Sequence, residues 1–373
     1  LDTLSAGTRA ENENIAFDLL YVSYVSPIGL FNVGYQIDCA WGTVFGDSSQ
    51  PTGKITYYLP LGSFGVGLQM GKNPDGERSR GAFGQPAFPL NDNRVSADRD
   101  NNFYTAFVRY AWKAGDAGLL FKHIREAGYR NYIYRASGLT PALYDTGFEQ
   151  KVYFLVPYVK AKFGPFAVQA EFTYGFGEKK WEGRPDLIPD GLGGPQEDGD
   201  IKSYEGWLDI VGDFGRFYVG LTGAHVSGDD KGTSDVEGLL TGGMDWNPCL
   251  IMFNQDLNYW AGAVNGYGGT ATGSPMTNAW FGQIRGGVRP IDKLDIMLSF
   301  SYAKADKSLG VGFDEREYGS EIDLTATYKI TNNLSYMLGG AYWMVGDYYK
   351  GNTTTNNDLE DQFMVINKLT LTF

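Results

Sequence analysis

The sequence predicts an all-β chain, a transmembrane antiparallel up-and-down β-barrel of about 16 strands, within a range of about 14 to 18. Three observations carry this. Segments of about 10–14 residues alternate apolar and polar side chains at period two, long enough for a tilted membrane crossing. The connections between them are short and long in rotation, the asymmetry of periplasmic turns and extracellular loops. Aromatic residues sit near both ends of the apolar faces, as interfacial girdles require.

The elements follow in order. Residues 15–24 meet 30–41 through Pro27-Ile28-Gly29, and 54–60 meet 64–72 through Leu61-Gly62-Ser63. Residues 102–113 meet 118–127 through Ala114-Gly115-Asp116, and 151–163 meet 166–177 through Gly164-Pro165. Residues 200–212 meet 216–227 around Gly215, and 278–289 meet 293–304 through Pro290-Ile291-Asp292. Residues 317–330 meet 334–346 through Thr331-Asn332-Asn333, and 361–373 form the last strand. The stretches 42–53, 73–101, 128–150, 178–199, 228–277, 305–316 and 347–360 are rich in Gly, Asp, Asn, Pro and Ser and read as long loops.

The alternation is clean. Phe166, Val168, Ala170, Phe172, Tyr174 and Phe176 oppose Gln169, Glu171 and Thr173. Leu294, Ile296, Leu298, Phe300 and Tyr302 oppose Asp295, Ser299 and Ser301. Tyr318, Ile322, Leu324, Ala326 and Tyr328 oppose Glu321, Asp323, Thr325, Thr327 and Lys329. In the barrel reading the apolar faces meet lipid.

This parse yields about fifteen strands, whereas single-chain bacterial barrels have an even number with both termini periplasmic. The expected sixteenth comes either from residues 1–9 or from Leu250-Ile251-Met252-Phe253 to Trp260 inside the longest loop. The 373 residues are read as a single barrel domain spanning 1–373.

Composition agrees. The chain has 51 Gly, 25 Tyr, 23 Phe and 8 Trp with 20% charged residues, the usage of a turn-rich β protein with aromatic girdles. Mean hydropathy is −0.28, which a barrel tolerates because each spanning strand averages its two faces. No apolar run is long enough for a transmembrane helix. No basic n-region with an apolar core is present, so an exported chain would be in its mature form. A net charge of −13 argues against a nucleic-acid partner. Cys39 and Cys249 either form one disulfide in an oxidising compartment or are two unrelated thiols.

Signatures of catalysis are scarce, and the expectation is that the chain is not an enzyme. The two histidines, His123 and His225, fall inside strands, and no Gly-x-Ser-x-Gly elbow accompanies them. The Gly-rich stretch 262–269 lacks the Lys-Ser/Thr pair and following helix of a phosphate loop, so no cofactor is expected. Asp229, Asp230, Asp235 and Glu237 offer carboxylates to a Ca²⁺ ion without the spacing of an EF-hand, and a solvated acidic loop is the better reading.

The polar faces carry the functional expectation. A barrel of this size encloses an aqueous channel, and its inward charges form the selectivity filter. The inward set has acidic members Asp38, Glu171, Glu205, Asp209, Asp295, Glu321 and Asp323. Its basic members are Arg109, Lys113, Arg285, Arg289, Lys329 and Lys368. Either these form opposing walls with a transverse field, or they pair and hydrate the lumen. Loops 73–101 and 228–277 could fold inward, and Arg78, Arg80, Arg94 and Arg99 are the constriction candidates in the first.

Three stretches resemble Gram-negative porins. Pro27-Ile28-Gly29-Leu30-Phe31-Asn32-Val33-Gly34-Tyr35, followed by Trp41 to Asp47, resembles a porin hairpin, with Tyr35 standing where a porin typically carries Arg. Ser227-Gly228-Asp229-Asp230 resembles a loop entry of alginate-export-type barrels, as does the chain end from Gly319 through Asn333-Leu334-Ser335-Tyr336 and Gly346-Asp347 to Phe373. The closing strand, apolar on one face and ending on Phe373, resembles the C-terminal assembly signal of outer-membrane barrels. The resemblance implies an outer-membrane porin for passive diffusion of small hydrophilic solutes or ions. The alternatives are a substrate-specific channel or exporter and a barrel scaffold for a partner protein. It further implies contact with outer-membrane lipid and lipopolysaccharide, and a homo-trimer.

Overall fold

The computed structural model describes residues 17, 19–72, 101–127, 132–137, 140–145, 148–181, 197–257, 273–308, 315–349 and 359–372. Seventeen strands are present among these residues: β1 (Leu20–Ser26), β2 (Gly29–Asp38), β3 (Gln50–Leu61), β4 (Phe64–Lys72), β5 (Asn102–Trp112), β6 (Gly115–Ala127), β7 (Tyr132–Ser137), β8 (Thr140–Asp145), β9 (Phe148–Phe163), β10 (Phe166–Trp181), β11 (Gly199–Asp213), β12 (Phe217–Val226), β13 (Ala279–Ile291), β14 (Leu294–Ala305), β15 (Glu317–Lys329), β16 (Leu334–Val345) and β17 (Gln362–Leu371). Fifteen form one antiparallel sheet in chain order, β1 to β6 followed by β9 to β17, each hydrogen-bonded to the next. β7 and β8 pair only with each other. Every segment expected as a wall strand is one. The stretch 128–150, expected as loop throughout, contains that separate hairpin and the start of β9.

The exposure pattern identifies the solvent each face was built for. On β14, Leu298, Phe300 and Tyr302 are 55, 45 and 40% exposed, whereas Ser299 and Ser301 between them are 2 and 0% exposed. On β15, Ile322 and Leu324 point outward while Glu321 and Asp323 are buried. On β10, Phe172, Tyr174 and Phe176 point outward while Glu171 and Thr173 are buried. A water-soluble sheet would reverse this. Apolar outside and polar inside is the arrangement of a membrane barrel, whose outer face gains from contact with hydrocarbon.

The third alternation breaks at its upper end. Tyr318, expected on the lipid face with Ile322, is fully buried. The β14–β15 register pairs Ala303 with Gly319 and then Lys304 with Glu317, so Tyr318 is the extra residue of a β-bulge. Gly319 absorbs the distortion at φ +116°, a conformation that side chains beyond glycine rarely adopt. The bulge turns the Tyr318 ring inward onto Phe253, Tyr348 and Tyr349.

The expected sixteenth strand is not at 250–257. That segment lies inside the sheet as turns and isolated bridges, because its backbone N–H groups are taken by wall side chains. Residues 1–9 and Trp260 lie outside the described residues, as does Phe373.

Candidate functional site: the occupied lumen

Two inward-folded segments occupy the space behind the polar wall. The first, residues 41–48, joins β2 to β3. Trp41 Nε1 donates to the carbonyl of Val156 at 3.1 Å, and Lys160 Nζ donates to the carbonyl of Gly42 at 2.8 Å. The backbone N–H of Thr43 donates to Glu171 Oε2 at 2.6 Å. A Cβ at position 46 would press on Glu171 Oε1, so a larger residue there must displace that carboxylate. Phe45 is fully buried, stacked on Trp207 of β11.

The second segment runs from Ser227 to Leu257 after β12. Ser203 Oγ accepts the backbone N–H groups of Leu239 and Leu240 at 3.1 and 3.2 Å. Glu321 then holds the innermost turn, with Oε1 accepting Ile251 N–H and Oε2 accepting Met252 N–H, both at 2.7 Å. Gln283 donates to the carbonyl of Pro248 at 2.8 Å, and Lys368 lies 3.5 Å from Asp256. The two segments meet each other, as Asp245 N–H donates to the carbonyl of Asp47 at 3.1 Å. Phe45, Trp246, Phe281, Phe253 and Tyr318 form a chain of edge-to-face ring contacts with centroids 5.1–6.0 Å apart. The lumen thus has a hydrophobic core of its own. Phe253 holds a left-handed backbone at φ 52°, which costs about 1 kcal/mol or more and persists because its neighbours are fixed on both sides.

A cavity of about 360 Å³ remains beside these segments, bounded by β2–β6 and β9–β11. On its lining Asp38 accepts from Lys54 at 2.8 Å and from Lys122 at 2.7 Å. Glu171, Thr173 and Glu205 line the same cavity. Neither Lys54 nor Lys122 was anticipated from the sequence. Their signal was the strict alternation: Lys54 lies between Gly53 and Ile55, and Lys122 between Phe121 and His123, each on its strand's inward parity.

The anticipated charges are placed as follows. Asp38, Glu171, Glu205, Asp209, Glu321 and Asp323 are buried on the inner face. Arg285 grips Asp209 through Nη2 at 2.8 and 2.9 Å. Arg289 bridges Asp213 and Asp295 at 3.0 and 3.1 Å, and Arg109 pairs with Asp116 at 3.0 Å. These are contacts along two separate stretches of wall near the short-turn end, β5–β6 and β11–β14, not charges facing each other across the lumen. Lys329 stands exposed at the same rim. Lys113 does not line the wall: β5 ends at Trp112, which leaves Lys113 in the turn. Arg78, Arg80, Arg94 and Arg99, and the Gly-rich stretch 262–269, lie outside the described residues.

The two cysteines are free. Burial, followed by the charges of Glu321 and Asp323, pushes the Cys249 thiol well above its ordinary range. Cys249, Glu321 and Asp323 do approach within metal-binding reach of one another, but both Glu321 oxygens are engaged by backbone N–H groups. The four acidic loop residues are not gathered on a common point. Asp229 pairs with Lys231, Asp230 with Lys307 and Asp235 with Lys202, while Glu237 accepts the N–H of Asp230. His123 packs against Tyr104 and Tyr153, and His225 against Tyr204 and Trp280, so both belong to the aromatic surface of the wall.

Inside-out faces, a meander of fifteen strands and alternating short and long connections together make this a membrane-type antiparallel β-barrel. No family model matches the chain, and no curated protein matches it in sequence. Among solved structures it is similar to Pseudomonas aeruginosa OccK11 (OpdR), at 12% identity over 92% of this chain and 78% of that one, with a TM-score of 0.44. It is similar to the ferric citrate transporter FecA in its unliganded form, at 11% identity over 93% and 54%, with a TM-score of 0.44. It is also similar to OmpT, an outer membrane protein of Vibrio cholerae, at 10% identity over 93% and 76%, with a TM-score of 0.32.

Proposed function

We propose that this chain is an outer-membrane channel for small hydrophilic solutes, narrow and solute-selective, through which solutes move by diffusion. The observation that carries this reading is the anchoring of residues 242–257 to Glu321 within the lumen. A wide aqueous pore would leave the inner face hydrated. Here ring contacts and backbone hydrogen bonds occupy it, and the cavity beside them is on the scale of one small molecule. The inward carboxylates Glu171, Glu205, Asp209, Glu321 and Asp323 favour this over an exporter of acidic polymer, which needs a basic lumen.

Planar-bilayer recording of the purified protein tests it. Small unitary conductance is expected, rising several-fold when residues 244–254 are replaced by a short Gly-Ser link. Folded protein that neither conducts nor permits liposome swelling with small sugars or amino acids overturns it.

A further inference from the structure

We propose that the luminal cavity binds a small zwitterionic solute, its ammonium group at Glu205 and its carboxylate at the Lys54–Lys122 pair. This rests on the channel reading above and names the solute class for it.

The cavity lining offers two sets of polar groups of different chemistry. At the first, Lys54 and Lys122 share a single carboxylate, Asp38, so one positive charge is left over. Each ammonium carries three donors, and the contact with Asp38 uses one. Thr105 is the cross-strand neighbour of Lys122 on the same cavity wall, and its buried hydroxyl has no partner among the described residues. At the second, Glu205 is 3% exposed, and its Oε2 has no partner among the described residues. The neighbouring Glu171 is committed to the Thr43 N–H, and Lys160 is committed to the carbonyl of Gly42. No salt bridge reaches Glu205 among the described residues. A buried carboxylate with an open oxygen is costly until a donor arrives, and a cationic donor answers both deficits. The same lining includes Phe107, Phe154 and Val156, which suits a short aliphatic chain. Its volume of about 360 Å³ falls in the range of small-ligand sites. A simple anion satisfies only the lysines and a simple cation only Glu205; a solute with both groups satisfies both.

Equilibrium dialysis of the detergent-purified full chain against 4-aminobutyrate, n-butylammonium and butyrate tests this. The zwitterion is expected to bind at least tenfold more tightly than either singly charged analogue. Glu205→Gln is expected to reduce it to the level of butyrate, and Lys122→Met to the level of n-butylammonium. Butyrate binding as well as the zwitterion removes Glu205 from the site, and n-butylammonium binding as well removes the lysines; either overturns the proposal, as does no binding at all. The comparison of ligands on the unaltered chain decides the case even where a variant fails to fold. Parallel bilayer recording separates the two readings. Conduction without binding overturns this proposal and leaves the channel, while binding without conduction does the reverse.

Discussion

Met252 donates its backbone N–H to Oε2 of Glu321 at 2.7 Å, and with the matching bond from Ile251 this fixes the inner segment to the wall. Both oxygens are used, the carboxylate is fully buried, and the residue that follows, Phe253, is held in a left-handed turn against Phe281 and Tyr318. Sheet and lumen therefore form one packed unit, and Glu321 is one of the side chains that join them.

Glu321→Ala leaves two buried N–H groups without acceptors. Losing two hydrogen bonds and stranding their buried donors costs about 3 kcal/mol or more. Guanidinium unfolding in detergent is expected to show that loss, together with larger and noisier unitary currents. Glu321→Gln keeps one acceptor and should fall between. Unchanged currents in a destabilised Glu321→Ala protein would mean that the segment does not restrict the passage.

The opposite wall holds residues 41–48 through Glu171. At Gly46 a Cβ would collide with Glu171 Oε1, and at Gly42 it would lie 2.6 Å from Oε2. Gly46→Ala should displace the segment at a cost of about 1–3 kcal/mol, the range for overpacking. The measurement is the temperature at which the folded band converts to the unfolded one in a heated gel. Gly62→Ala provides the contrast: no atom lies near its Cβ position, and its strain is confined to a turn with φ +64°.

The wall was legible because period-two alternation is a local signal: Ser299 and Ser301 point in, and Leu298 and Phe300 out, whatever the rest of the chain does. Tyr318 was misassigned because a bulge adds one residue to the count, and its only local mark is Gly319. The lumen filling was not legible. Leu250-Ile251-Met252-Phe253 is an apolar run with the composition of a strand, and what keeps it from becoming one is Glu321, about seventy positions away. The Lys54–Asp38–Lys122 cluster likewise depends on three strands brought together by pairing. Within-strand polarity fixes which way a charge points, but its partner follows from the register across strands. For that reason expected opposing walls became pairs along the wall, such as Arg285 of β13 with Asp209 two strands away on β11.

The free cysteines differ in access. Cys39 is exposed and lines the cavity beside Lys122, while Cys249 is buried behind the inner segment. A small cationic methanethiosulfonate is expected to label one thiol per chain in the native protein and two after unfolding, counted by mass spectrometry. Because the label occupies the cavity, it should also reduce conductance. Cys39→Ser should abolish both the native labelling and the block. Rapid labelling at both sites would show that the inner segment opens to reagent.

The loop entry after β12 should loosen in acid. The Gly232 N–H, then Lys307, holds Asp230 below the usual carboxylate range, and hydrogen bonding from Lys202 does the same for Asp235. Their folded values lie below those of the unfolded chain, so the stabilisation is present above the ordinary carboxylate value and is lost as pH falls through the folded values. The segment 228–237, docked on β11 through the Val236 N–H to the carbonyl of Asp200 at 2.8 Å, is therefore expected to stay closed above about pH 4 and to open below it. Hydrogen exchange at Gly232 and Val236 reads this directly, compared with Lys307→Ala and Lys202→Ala at each pH. Both substitutions should move the opening to higher pH. An opening midpoint that ignores both lysines would place the acid response in another part of the loop.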